Sequence, residues 1–195
     1  MNPWSAEFTL WNVWLVSWLF AAAWSAPAAG RAGWRAQAPN LAVTAVGFLF
    51  LFSQNRASPL IFVRLWRVSE PLAWVMVAFT GLGFAFCWWA RLHLGRLWSG
   101  TVTRKADHRI VDTGPYRWVR HPIYTGILAG ALGLAILDGT GGAFVGLALL
   151  TLGLAMKARL EEGFLKQALG AAPYEAYAAR TPMLIPWRRP GRETG

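Results

Sequence analysis

Arg117, Arg120 and His121 stand with Tyr116, Tyr124 and two prolines in GPYRWVRHPIYTG, residues Gly114 to Gly126, at the start of an apolar run. A cluster of this composition suits a bound, charged small molecule. Gly114-Pro115 encodes a turn, Tyr116 and Trp118 offer ring faces to an adenine or a cationic group, and Pro122 fits the first turn of a helix. His121 then falls at that helix's N-terminus, where backbone N–H groups without intrahelical partners favour a carboxylate. A plainer role fits the same residues, with the arginines at lipid phosphates and the aromatics as an interfacial belt. A second group follows in MKARLEEGFLKQALG, where Lys157 and Glu161 lie four apart on one helical face with Glu162 beside them. Two adjacent acids at the exit of an apolar helix call for water, partners or a ligand.

Other chemistries find little support. His93, His108 and His121 are far apart, with no i, i+4 pair and no nearby cysteine, so no metal site is expected. Gly81-Leu82-Gly83 lies inside an apolar run and is no dinucleotide fingerprint, and G-x-x-x-x-G-K-[ST] does not occur. The single Cys87 excludes an internal disulfide and a C-x-x-C pair. A net charge of +10 invites a nucleic-acid partner. Here, however, the basic residues flank apolar runs with no groove-reading module between them, and membrane topology with anionic headgroups explains the charge better. Neither nucleic acid nor an obligate protein partner is expected.

The elements that must position these residues follow from composition. Of 195 residues, 55% are hydrophobic, 14% are charged and 13 are tryptophan, more apolar than a soluble domain of this length usually is. Runs free of Asp, Glu, Lys and Arg cover Phe8–Gly30, Ala36–Asn55, Pro71–Ala90, His121–Leu137 and Gly139–Met156. Each is close to the roughly 20 residues that cross about 30 Å of hydrocarbon. The expected fold is an all-α integral membrane protein of about five transmembrane helices. Pro39 and a polar end weaken the second run, and the fourth is short, although DGTGG should turn it into a hairpin with the fifth. Gly126, Gly130, Gly133, Gly142 and Gly146 have the small-residue spacing that lets helix backbones approach closely.

Seven of the 19 Lys and Arg lie in Arg91–Arg120 and seven in Lys157–Gly195, with none at the turn around Asp138. Both basic stretches are therefore expected in the cytoplasm, and five spans would put the N-terminus outside, in a bacterial inner membrane. The connection Gln54–Glu70 sits awkwardly outside with Arg56, Arg64 and Arg67, and its LIFVRLW reads as an interfacial amphipathic segment. The start, MNPWSAEFTLW, lacks a basic region and an A-x-A site, so the first run reads as a retained helix. The chain divides into N-terminal helices, 1–70, and a core, 71–195, whose loop before His121 and C-terminal tail should close over a site.

WSGTVTRKADHRIVDTGPYRWVRHPIYTG, with EEGFL, YEAY and TPMLIP, closely resembles the isoprenylcysteine carboxyl methyltransferase family, bacterial members in particular, and more distantly the membrane phospholipid N-methyltransferases. The resemblance covers about Leu72 to Trp187. R-H-P-x-Y-x-G preceded by H-R-[IL]-V and G-P-Y, then followed by E-E-x-x-L one helical hairpin later, is hard to obtain by chance. It implies S-adenosylmethionine as cofactor, held by His108, Arg109, Ile110, Val111, Tyr116, His121, Pro122, Ile123, Tyr124 and Glu161. Lys157 matches the position where the family directs an arginine toward substrate, and Arg120, Lys157 and Glu161 are the candidate catalytic residues. Two departures stand out. Lysine at 157 replaces a planar carboxylate clamp by a point charge, and the family's F-G-x-x-Y becomes LGAAPY, one residue longer, ahead of Tyr174 and Tyr177.

The implied reaction fits the residues. Methyl transfer from a sulfonium is an in-line displacement that mainly needs donor and nucleophile aligned. A carboxylate acceptor needs no general base, whereas an amine or thiol must lose a proton. The acceptor is expected to be a lipophilic or small molecule, such as an isoprenylcysteine-like carboxylate, a phospholipid amine or a thiol, with membrane lipids as the other partners. Two alternatives are an NADPH-dependent reductase of the sterol-reductase type, which shares H-P-x-Y-x-G but typically follows the glycine with an acid where this chain has Ile127, and a non-catalytic membrane scaffold.

Overall fold

The computed structural model describes residues 1–24, 30–31, 33–53, 63–98, 103–104 and 110–186. Six helices account for most of them: α1 (Pro3–Ala22), α2 (Trp34–Phe52), α3 (Glu70–Leu94), α4 (Pro122–Asp138), α5 (Gly141–Leu169) and α6 (Ala171–Arg180). Single 3-10 turns at Gly95–Leu97 and Gly114–Arg117 and one ladder of two-residue strands, β1 (Gly30–Arg31) against β2 (Thr103–Arg104), complete the all-α architecture. The stretch carrying α3 and its 3-10 extension, Glu70–Leu97, and α5 are long and apolar enough to cross a membrane, and α4 is a shorter apolar helix.

Local chemistry sets the helix limits. Asn2 caps α1 by accepting from Ser5 N at 2.8 Å, with Pro3 in the first turn. The expected DGTGG turn is present: Gly139 ends α4 in the left-handed region at φ 66°, and Thr140 starts α5 by accepting from Ala143 N at 3.3 Å. Helix α2 runs unbroken through Pro39.

The helices alternate in direction, as successive membrane passes would. On α1 and α3, Glu7 meets Thr80, Ser17 meets Trp88 and Ala21 meets Arg91, so the two run parallel. On α2 and α5, Gly47 faces Leu150 and Gly146, while Thr44 faces Gly153, an antiparallel pair. Helices α3 and α4 are likewise antiparallel, with a Cβ at Gly83 meeting Gly126 O at 2.8 Å and one at Gly133 meeting Thr80. The glycines of the hairpin thus serve two different partners: those of α4 admit α3, and those of α5 admit α2.

Side-chain distribution is inverted relative to a soluble protein. Phe8, Leu19, Phe20, Leu49, Leu82 and Leu152 are exposed around the outside, while Glu7, Thr80 and Arg91 are buried. Arg91 closes the end of α1, donating to Ala21 O at 2.7 Å, Trp24 O at 2.5 Å and Gly95 O at 2.6 Å. Its guanidinium carbon also lies 5.0 Å from the Trp24 ring centroid and 4.5 Å from that of Trp98, so the charge is met on its edge by carbonyls and on its faces by rings.

At the opposite end, residues 63–66 are extended and pair with the α4–α5 turn: Leu65 N donates to Gly139 O at 2.7 Å and Gly141 N to Val63 O at 3.0 Å. The LIFVRLW segment expected to lie in the interface is therefore, over its described part, stitched to the turn by backbone hydrogen bonds. The leftover backbone groups of the helical hairpin are thereby paired.

Candidate functional site

The start of α4 and the second half of α5 bring the two sequence clusters together. Tyr124 points across to α5 because it lies one turn after His121 on the same face, and its hydroxyl donates to Glu161 Oε1 at 2.6 Å. The His121 and Tyr124 rings are stacked, 5.3 Å apart and 1° from parallel. His121 Nδ1 lies 3.5 Å from Glu161 Oε2, and Nε2 lies 3.1 Å from Glu162 Oε1. Lys157, one turn before Glu161, places its ammonium 5.5 Å from the Tyr124 ring centroid. One imidazole thus bridges two carboxylates, with a phenol and an ammonium beside the first of them.

Arg120 serves a different end of the cluster. Its Nε donates to Glu162 Oε1 at 2.8 Å, and Nη1 donates to Ala178 O at 3.0 Å and Thr181 O at 2.7 Å. The chain after α6 is bound to the residues before α4 as well: Arg120 N donates to Pro182 O at 2.9 Å, His121 N to Met183 O at 3.1 Å and Thr125 Oγ1 to Leu184 O at 2.6 Å. Residues 181–184 are therefore a strap across the top of the site. Arg120, expected among the catalytic residues, is the side chain that ties this strap to Glu162.

Of the residues expected at a cofactor, the structure gathers His121, Pro122, Tyr124 and Glu161, with Ile123 buried beside them. Tyr116 is buried and its hydroxyl reaches Ala90 O at 3.5 Å, while its carbonyl accepts from Tyr177 OH at 2.7 Å. Ile110 and Val111 are half-buried, and His108 and Arg109 lie outside the described residues. Trp118, considered as a stacking face, is 54% exposed and packs against Phe86 and Trp89 of α3, away from the cluster. The lengthened LGAAPY leaves Tyr174 and Tyr177 buried side by side in α6. Among the described residues no group of His, Cys, Asp or Glu is arranged to hold a metal ion.

Spacing did not foretell the part played by Glu162. It is as closely engaged as Glu161, and the only sign in the sequence is its adjacency. Backbone acceptors of the strap carry no side-chain signature at all.

The charges interlock. Burial alone would depress the His121 pKa, but hydrogen bonds to Glu161 and Glu162, together with their charges, outweigh it and hold the imidazole above its usual value. The groups facing it are Glu161, Glu162, Arg120, Lys157 and Tyr124. Because the folded value is raised, the stabilisation is complete below the unfolded histidine pKa, about 6.5, and is lost as pH rises through the folded value. Melting of the detergent-solubilised protein should accordingly fall with rising pH above that point. His121→Gln should flatten this part of the profile; an unchanged pH dependence in the variant would show that the imidazole does not carry it. Burial pushes the Tyr116 phenol up, so it remains a neutral donor.

Residues 75–167 match the model of the isoprenylcysteine carboxyl methyltransferase (ICMT) family, which supports the resemblance read from the motifs and implies a membrane methyltransferase. The matched segment runs from α3 to α5 and contains Arg120, His121, Tyr124, Lys157, Glu161 and Glu162. No curated protein matches the chain.

Proposed function

We propose that this chain, whose residues 75–167 carry the isoprenylcysteine carboxyl methyltransferase pattern, uses S-adenosylmethionine to methylate a lipophilic or small acceptor at the strapped cluster between α4 and α5. The observation that carries this reading is the partly exposed Glu161 carboxylate, 22% accessible and held in place by Tyr124, at the end of an apolar helix inside the matched segment. An oriented carboxylate suits the ammonium and sulfonium charges of this cofactor, so the donor set fits. When bound, S-adenosylmethionine supplies an electrophilic methyl group.

The chain's own residues supply the rest. Glu161 binds positive charge, and the Tyr124 hydrogen bond fixes which lone pair it presents. Tyr116, buried and bound through its carbonyl to Tyr177 of α6, closes the neighbouring wall. The strap and α6 exclude water, which strengthens each electrostatic contact in the enclosed space. Lys157, on the Glu161 face of α5, faces an anionic acceptor as a point charge; unlike a guanidinium, it can accept carboxylates at many angles. That tolerance favours an acceptor recognised mainly by its apolar part. A carboxylate acceptor would be methylated as it stands, whereas an amine would need to lose its proton to solvent, because both ring nitrogens of His121 are already engaged by Glu161 and Glu162.

Five passes support access for such an acceptor. Helices α1 and α2 share the exposed apolar exterior and the alternating direction of α3, α4 and α5. The basic stretches flanking the cluster support a position at the cytoplasmic face of a bacterial inner membrane. A polar cofactor then arrives from water and a lipophilic acceptor sideways between helices.

Cofactor choice tests the reading. Calorimetric titration of the purified protein should show binding of S-adenosylmethionine and its demethylated product and no binding of NADPH. The reverse preference would support a reductase and defeat the methyltransferase reading; absence of both would leave a scaffold. Lys157→Ala should retain cofactor affinity within about twofold while slowing transfer to an anionic acceptor roughly tenfold or more, as expected for loss of a hydrogen bond to a charged group.

A further inference from the structure

The helix ends opposite Glu161 border an open cavity of about 960 Å³, with Trp4, Glu7, Trp11, Arg64, Arg67 and Asp138 in its lining. This is ample for a small ligand or a lipid headgroup. Glu7 is 1% exposed, and its Oε1 accepts from Thr80 Oγ1 at 2.9 Å and from Trp11 Nε1 at 3.1 Å. Its Oε2 is equally buried and has no hydrogen-bond partner among the described residues. Holding a carboxylate between helices with one oxygen unmet is costly, and a helix interface needing only a polar latch could have used a residue with a single acceptor.

The rest of the lining indicates what would meet that oxygen. Indole rings beside a carboxylate are the surroundings that recognise an organic ammonium. The rim is basic: Arg64 and Arg67 are exposed on the segment pinned to the α4–α5 turn, and Arg64 Nη1 donates to Asp138 O at 3.2 Å. Guanidinium groups in that position suit phosphate oxygens. The cavity is no part of the methyl-transfer site, because Thr140 in its lining and Glu161 are separated by about twenty residues of α5, roughly 30 Å along the helix.

We propose that this cavity is a second binding site, for a phosphoammonium group whose ammonium pairs with Glu7 beside Trp4 and Trp11 and whose phosphate lies against Arg64 and Arg67. Either a zwitterionic phospholipid or a soluble phosphoammonium compound carries that chemistry. The site rests on this geometry alone and stands whether or not the chain is a methyltransferase.

Two probes distinguish the sources. Glycerophosphoethanolamine is titrated into detergent-purified protein, and retention of phosphatidylethanolamine against phosphatidylglycerol is measured by native mass spectrometry after release from mixed nanodiscs. Binding of the soluble probe identifies a free ligand, and selective retention of the lipid alone identifies a headgroup; both support the site. Glu7→Gln should weaken either by tenfold or more, and Arg67→Ala should weaken the phosphate-bearing probe while sparing ethanolamine. Monodisperse elution and an unchanged melting temperature certify the variants; should Glu7→Gln fail these, the exposed Arg67→Ala decides alone. Failure of both probes to bind, or wild-type affinity in the certified variants, overturns the proposal.

Discussion

Glu161→Gln should weaken binding of S-adenosylmethionine by about 1–3 kcal/mol, roughly 5- to 150-fold, with little change in fold. The substitution keeps the side chain's size and its ability to accept from Tyr124 OH, which now lies 2.6 Å away, but it removes the charge. If the pair of acids were only a helix-exit feature, the nearest cation on its own helix, Lys157, would account for about 0.3–0.5 kcal/mol and cofactor affinity would not move. Glu162→Gln provides the contrast. Glu162 is engaged by Arg120 and His121, so its neutralisation should loosen the strap, read as faster proteolysis after α6, before it alters intrinsic cofactor affinity. Calorimetry on both variants separates the two roles, and full affinity in Glu161→Gln would remove that residue from the site.

The second large effect is expected at Gly126. A Cβ there would collide with Gly83 O and Cys87 Sγ of α3, and the carbonyl cannot rotate away as a side chain would. Gly126→Ala should therefore cost about 1–3 kcal/mol, as overpacking does, and Gly126→Leu more. The damage should reach the cluster, because Gly126 lies in the turn of α4 that also carries His121 and Tyr124. Gly163→Ala is the matched control: nothing lies within 4 Å of a Cβ at that position, and Ala gains up to about 1 kcal/mol in helix propensity over Gly. Melting temperatures in one detergent should move in opposite directions for the two alanines. Equal shifts would mean that the α3–α4 contact is looser than described.

These contrasts bear on what a sequence can disclose. The hairpin at Gly139 and the start of α4 were readable because caps, prolines and glycines act within a few residues of where they stand. The meeting of His121, Tyr124 and Glu161 was readable only through the motif pair, since the hairpin puts α4 beside α5 without saying which faces of the two helices meet. Trp118 could not be assigned by spacing: it sits one position from a face that turns inward and packs outward on α3 instead. Arg120 was visible as a cation, but its acceptors are carbonyls contributed by residues about sixty positions later. Glu7 stands one residue before the first charge-free run, and nothing in that position signals that it is among the most deeply buried side chains.

The strap at residues 181–184 also sets an order of events during synthesis. Translation delivers α4, with Arg120 and His121, long before Pro182, Met183 and Leu184 exist to accept from their backbone and from Thr125. Until then α5 has brought in its two acids, yet the cluster lacks the strap that ties Arg120, His121 and Thr125. A nascent chain can therefore bring α3, α4 and α5 together before the cluster is covered, and the cover forms only when the late segment folds back. Pairing of the helices and covering of the cluster are successive steps, separated by the synthesis of α6 and the strap.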